Sequence, residues 1–233
     1  MGVCCTSRDR QIHLDGVPEE ELIVYKSECE INLHMVPFEV FRSSIKRFGY
    51  ATDLTDKHMR HIAPSIMLDV DKMYQDEKSC FALVYLDESF RSKDRRHNVR
   101  KLLRLGWLCC LHRSPGHQKD ELWNLINPEM AQSISKADVM DFVQTLVTFA
   151  VNINKKVLVI DEEQVQYIVS AIAYLDQALE NIEAFTKKLE GELTRRINKE
   201  DLIDCFEKNG LFRTYTLRAA IVGKLNAPKK QSQ

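Results

Sequence analysis

From residue 37 onward, apolar residues recur three and four positions apart through most of the chain, the spacing of helices that each bury one face. The pattern predicts helices over 37–49, 55–63, 65–86, 95–112, 118–126, 135–151, 161–189, 198–208 and 211–223. Only 153–160, INKKVLVI, has strand-like composition, and it reads equally well as the lead into the following helix. With 8 glycines and 6 prolines, few positions interrupt these runs, so the expected fold class is all-α. The clearest break is RSPGHQ, where Ser114, Pro115 and Gly116 separate two helices. It divides the chain into a lobe over 31–113 and a lobe over 117–225. Residues 1–30 are expected to be loosely ordered, with PEEELIVYK offering at most a short helix. A tail over 226–233 has only Ala227 and Pro228 to pack and is expected to be mobile.

Within that pattern a unit repeats. An apolar helix ending at Leu125 and Ile126 runs into a twelve-residue loop, Asn127 to Asp138, with Ile134 in the eighth place, and a helix follows. The same shape recurs over Glu190 to Asp201 with Ile197 eighth, and over Arg47 to His58 with Leu54 eighth. A weaker match spans Asp87 to Asn98, where Asp94 holds the eighth place. Loop starts at 47, 87 and 127 are about 40 residues apart, and the longer step to 190 implies an enlarged linker or an extra helix. The plain alternative is that polar loops followed by an aliphatic residue arise in any all-α domain.

These units resemble EF-hands, and the resemblance implies a two-lobed array of helix-loop-helix pairs with extra helices. In that motif oxygen ligands at positions 1, 3, 5 and 12 surround Ca²⁺, and glycine makes the turn at position 6. Loop 47–58 has Arg47, Gly49, Ala51 and His58 at the ligand places, so no cation is expected there. Loop 127–138 offers Asn127, Glu129 and Asp138, but Ala131 and Gln132 fill the fifth and sixth places. Loop 190–201 offers Glu190, Glu192, Thr194 and Asp201, with Arg195 in the glycine place. No cofactor is therefore expected; if Ca²⁺ binds at all, those two loops hold it.

Composition narrows the setting. The 233 residues are 44% hydrophobic and 29% charged with a formal net charge of -1, which gives no global reason to expect a nucleic-acid partner. The longest apolar stretches, 139–151 and 165–175, fall short of the roughly 20 residues that span a bilayer. The opening residues lack the apolar core of a secretory signal, so the chain is expected to stay in the cytosol, with its seven cysteines as thiols. The opening itself, MGVCCTSRDR, fits M-G-x-x-x-[ST], with Gly2 as the myristoylation site and Thr6 as the required hydroxyl. One myristoyl chain binds membranes only marginally, and palmitoylation of Cys4 and Cys5 would supply the second anchor.

Together the acylation signal and the loops resemble the acylated EF-hand superfamily, to which recoverin, calcineurin B and the calflagins belong. The resemblance implies an apolar groove that receives a partner's amphipathic helix, whereas Phe142, Leu146 and Phe149, with Ile168, Ile172 and Leu175, are core by default.

Two other clusters bear on function. The run 91–104 carries Arg91, Lys93, Arg95, Arg96, Arg100, Lys101 and Arg104 against a single Asp. Its default is a solvated helix face; beside an acylated terminus it would meet anionic headgroups, unless the acids of PEEEL neutralise it internally. Cys109, Cys110, His112 and His117 have the chemistry of zinc ligands in the wrong spacing, and the two cysteines are expected as buried small residues. No phosphate loop, nucleophile elbow or HExxH is found, so no enzyme is expected. The expected function is a membrane-anchored, calcium-independent adaptor for a protein partner at the cytoplasmic face of a membrane. The alternatives are a Ca²⁺ sensor using loop 127–138 or 190–201, and a docking subunit of a ciliary, axonemal or other cytoskeletal assembly.

Overall fold

The computed structural model describes residues 18–49, 53–158 and 165–224. Gly2, Cys4, Cys5, Thr6 and the tail 226–233 lie outside the described residues. Within them the chain is mostly helical, in the order α1 (Glu19–Cys29), α2 (Phe38–Phe48), α3 (Asp56–Ile62), α4 (Val70–Gln75), α5 (Cys80–Tyr85), α6 (Val99–Cys109), α7 (Pro115–Ile126), α8 (Lys136–Val147), α9 (Asn154–Leu158), α10 (Val165–Glu192), α11 (Lys199–Lys208) and α12 (Thr214–Val222).

Most of these helices begin on a small polar side chain that accepts a backbone N–H two or three residues on, which satisfies one of the donors orphaned by a helix start. Thr55, Asp69, Ser79, Asn98, Ser114, Ser135 and Asn198 all do so. The caps explain where the structure departs from the periodicity. The single helix expected over 65–86 is instead a 3₁₀ turn, Ala63–Ile66, then α4 and α5, because Asp69 and Ser79 each start a new helix. Asn98 likewise delays α6 to Val99, so 91–98 is loop and not the start of a helix over 95–112. Ser114 starts α7 with Pro115 in its first turn, so RSPGHQ itself enters a helix.

The described part of INKKVLVI, 153–158, is helical and not a strand. α8 widens into a π-helical segment, Thr148–Ile153, and continues as α9 through Leu158. Wider turns loosen the backbone ladder, and two of the carbonyls there take side-chain donors: Asn154 Nδ2 reaches Phe149 O at 3.0 Å, and Arg218 Nη1 reaches Ala150 O at 3.0 Å.

The loops between helices are joined in pairs. A two-residue strand β1 (Ile134–Ser135) lies antiparallel to β2 (Arg196–Ile197), with Ile134 opposite Ile197. The chain between them holds α8, the π segment, α9 and the 28-residue α10. A second, shorter bridge joins Leu54 to His97 by two hydrogen bonds of 2.9 and 2.8 Å. The partner of Leu54 is thus His97 and not Asp94, which is exposed; counting the eighth place from His97 moves that loop to 90–101.

A single apolar cluster runs from Val24 to Val222. Phe142, Leu146, Phe149, Ile168 and Leu175 are buried in it and Ile172 is partly buried, so these side chains are core. Trp107 is fully buried and donates to Gln118 O at 2.9 Å, while its ring meets Phe142, Phe206 and Phe212 edge-on or tilted. Gly106 allows α6 to cross α2 closely, since a Cβ there would stand 2.3 Å from Phe41 Cδ1. Residues 19–29 are not loosely ordered: α1 packs against α9, α10 and α12. Among the described residues no helix is long and apolar enough to cross a membrane.

Candidate functional site

The two loops nearest to a cation-binding pattern spend their oxygen groups on the protein itself. Asn127 is 4% exposed; its Oδ1 accepts the Ala131 N–H at 2.9 Å and its Nδ2 donates to Ala131 O at 2.7 Å. Ala131 is the fifth loop residue, so the first and fifth places are tied to each other. Asp138 accepts the Ser135 hydroxyl at 2.6 Å, and Ser135 in turn caps α8 through the Asp138 N–H, while Glu129 stands exposed.

In the other loop, Glu192 accepts Asn209 Nδ2 at 3.0 Å and has Lys208 Nζ at 3.3 Å; the Asn209 bond leads in holding its carboxyl below the ordinary range. Thr194 donates to Arg196 O at 2.6 Å, and Glu190 lies 3.8 Å from Lys136 Nζ. Asp201 sits in the first turn of α11, where its N–H donates to Asn198. Glu192, Thr194, Asp201, Asp204 and Lys208 line a cleft of about 290 Å³ beside Ile197, and the Lys208 ammonium already pairs with Glu192 there. Among the described residues no group of three or more His, Cys, Asp or Glu is placed to hold a metal ion. The Cys109, Cys110, His112 and His117 set falls under that statement: Cys110 is buried, and the His112 ring donates from Nε2 to Trp107 O at 2.7 Å. Burial holds the His112 imidazole down at about 4.

The Leu54–His97 bridge is built differently. The His97 ring is fully buried, with Nδ1 at 3.1 Å from Tyr85 O and Nε2 at 3.0 Å from Asp56 Oδ1. Arg91 Nη2 donates to the same Asp56 oxygen at 3.0 Å, and Asp53 accepts the Val99 N–H at 3.2 Å. Burial lowers the His97 pKa against the opposing pull of Asp56. Burial alone would raise Asp56, but hydrogen bonds from Tyr74 and His97 and the charge of Arg91 bring it below the usual range.

That geometry takes apart the basic run. Arg104 is 4% exposed and faces inward, donating to Asp141 O and Thr145 Oγ1 at 2.9 Å and to Asp141 Oδ2 at 2.5 Å, with its guanidinium over the Phe142 ring. It is a structural residue of the α6–α8 contact and no part of a surface patch. Arg91 is half-buried on Asp56, and Lys101 Nζ donates to Ser89 O at 2.6 Å. Lys93, Arg95, Arg96 and Arg100 remain exposed, three of them on a loop tightened by Ser92 N–H to Arg96 O at 2.8 Å and Arg95 N–H to Ser92 O at 2.9 Å.

Of the acids of PEEEL, Glu21 pairs with a cation outside this run. Glu21 of α1 is fully buried, and Arg218 of α12, also fully buried, donates Nε to its two oxygens at 2.8 and 3.0 Å. Arg218 Nη1 reaches Glu28 Oε2 at 2.9 Å, and Glu28 Oε1 accepts the Thr214 hydroxyl at 2.7 Å. Burial raises the Glu21 pKa against the lowering charge of Arg218. Two carboxylates from one end of the chain thus close on one guanidinium from the other. Neither Arg218 nor His97 stands out in the sequence, because an isolated Arg in an apolar helix and a His in a basic loop both read as surface. No protein-family model, no curated protein and no solved structure matches the chain.

Proposed function

We propose that this protein is a membrane-anchored adaptor built on degenerate EF-hand-like loops, which holds a protein partner at the cytoplasmic face of a membrane without requiring Ca²⁺. The observation that carries the reading is the antiparallel pairing of Ile134 with Ile197, the eighth residues of two twelve-residue helix-linking loops whose ligand places are engaged by Ala131, Ser135, Asn209 and Lys208. An eighth-place aliphatic pair is what joins paired EF-hand loops, and it persists when the cation ligands are lost, since backbone bonds and two isoleucines suffice to hold it. Lipid attachment rests on Gly2, Cys4 and Cys5, with Lys93, Arg95, Arg96 and Arg100 as the exposed cations left to meet anionic headgroups, each contributing about 1 kcal/mol near the surface.

Two measurements test the reading separately. Intact mass of the native protein should show loss of Met1, a myristoyl increment and further mass removed by hydroxylamine; an unmodified terminus sinks the anchor. Isothermal titration with CaCl₂ should give no binding heat, and a saturable micromolar isotherm would replace the adaptor with a Ca²⁺ sensor.

A further inference from the structure

Most long helices are seated mainly by aliphatic and aromatic side chains: α2 buries Phe38, Phe41 and Ile45, α8 buries Val139, Phe142, Val143 and Leu146, and α7 sets Leu122 and Ile126 beside Gln118 and Glu121. In α1 the buried acids outnumber the buried apolar residues. Its buried positions are Glu21, Val24 and Glu28, spaced i, i+3 and i+7 along one face, with a single aliphatic between two acids. Ile23 is only partly buried, and Tyr25 meets Tyr215 of α12 edge-on at 5.9 Å between ring centroids. The seat against α9, α10 and α12 is therefore coded by charge, with Arg218 supplying the donors.

Such a seat selects its occupant by charge. A buried ion pair is close to neutral against an apolar pair of the same shape, because desolvation cancels most of the attraction, whereas leaving one member unpaired is costly. Arg218 thus demands carboxylates at two places seven residues apart, and any helix that presents them satisfies it as α1 does.

Resting on the adaptor reading, we infer that the α1 seat is the partner-binding site: a partner helix with carboxylates at i and i+7 about an aliphatic at i+3 displaces α1 and pairs with Arg218. The incoming helix gives the buried guanidinium back its carboxylates once α1 has left. It also frees α1, which follows directly on the segment carrying Gly2, Cys4 and Cys5, so partner binding changes the tether between membrane and body.

The chain's own helix serves as the probe. A fluorescein-labelled peptide of residues 18–31, PEEELIVYKSECEI, is titrated into the full-length protein and into its Glu21→Gln/Glu28→Gln variant, with anisotropy as the readout. Saturable binding is expected in both, about tenfold tighter or more in the variant, whose own α1 competes less well. A peptide with lysine at both acid positions should bind at least about tenfold more weakly than the acid peptide. Equal binding of the two peptides overturns the inference, as does no binding to a variant whose circular dichroism is native. If the variant does not fold, hydrogen exchange of the wild-type chain decides: α1 amides should exchange before those of α2 and α6, and equal protection overturns the proposal. Failure here leaves the acylation and calcium measurements untouched, so a lipid-anchored adaptor that binds its partner elsewhere remains distinguishable.

Discussion

The two loop bridges use the same backbone device and surround it with opposite chemistry. At Leu54–His97 the imidazole turns inward, and it, Asp56, Arg91 and Asp53 tie the bridge to α3, α5 and α6. At Ile134–Ile197 the two buried isoleucines face each other, Asp138 and Glu190 turn to a cap and a lysine, and the buried Asn127 side chain bonds Ala131 of its own loop. An antiparallel contact between loops specifies neither a cation site nor a rigid lock, then. What the flanking side chains bond to decides which one the loop pair becomes.

Breaking the first bridge should cost the most. His97→Ala removes a fully buried ring and strands Tyr85 O and Asp56, and a loss of about 4 kcal/mol is expected in urea unfolding. A loss under about 1 kcal/mol would show that the ring is not part of the lock. At the second bridge, Ile197→Ala should cost about 2–3 kcal/mol by cavity formation alone, with no coupling to Asp138 or Glu192 in a double-mutant cycle.

Acid should separate the bridges further. The folded-state pKa values of His97 and Asp56 both lie below their ordinary values, so the stability they contribute is present above those values. It is lost as pH falls from about 6.5, where unfolded histidine takes up its proton, and further through the carboxylate range. Between pH 7 and 4 the Leu54 amide, which donates to His97 O, should lose hydrogen-exchange protection well before the amides of the 134–197 ladder. Loss of both together would mean a global transition. His112 adds to the same acid sensitivity: its imidazole at about 4 against an ordinary 6.5 contributes on the order of 3 kcal/mol at neutral pH, which His112→Gln should remove from the pH profile. Glu21 runs the other way, since a raised folded-state pKa makes its contribution largest below the ordinary 4.5 and smaller as pH rises.

The smallest effect is expected on the surface of the second bridge. Asp138→Asn and Asp201→Asn should each stay within about 0.5 kcal/mol of wild type, because the Ser135 and Asn198 caps remain.

Much of the helical content was legible because spacing and caps agree: Ser135 and Asn198 mark helix starts in the sequence and cap them in the structure. Ile134 and Ile197, selected by their place in loops of equal length, meet each other. Asp94 was selected by the same count and stands in solvent, because that loop pairs through a histidine that no aliphatic pattern marks. The breaks at Asp69 and Ser79 were hidden inside one long apolar periodicity, in which a capping residue looks like any polar position. Arg104 and Arg218 show why the charged residues were the hardest to place. Nothing in a sequence window distinguishes a solvated guanidinium from one whose partners lie 37 or 197 residues away.

The pairing of Glu21 with Arg218 also orders events in time. A ribosome releases the chain from its amino end, so the pairing of Glu21 with Arg218 cannot form until the 197 residues that separate them have been made. Until then α1 has α9 and α10 to pack against but no buried cation for Glu21 and Glu28, so its charge-coded seat is completed late.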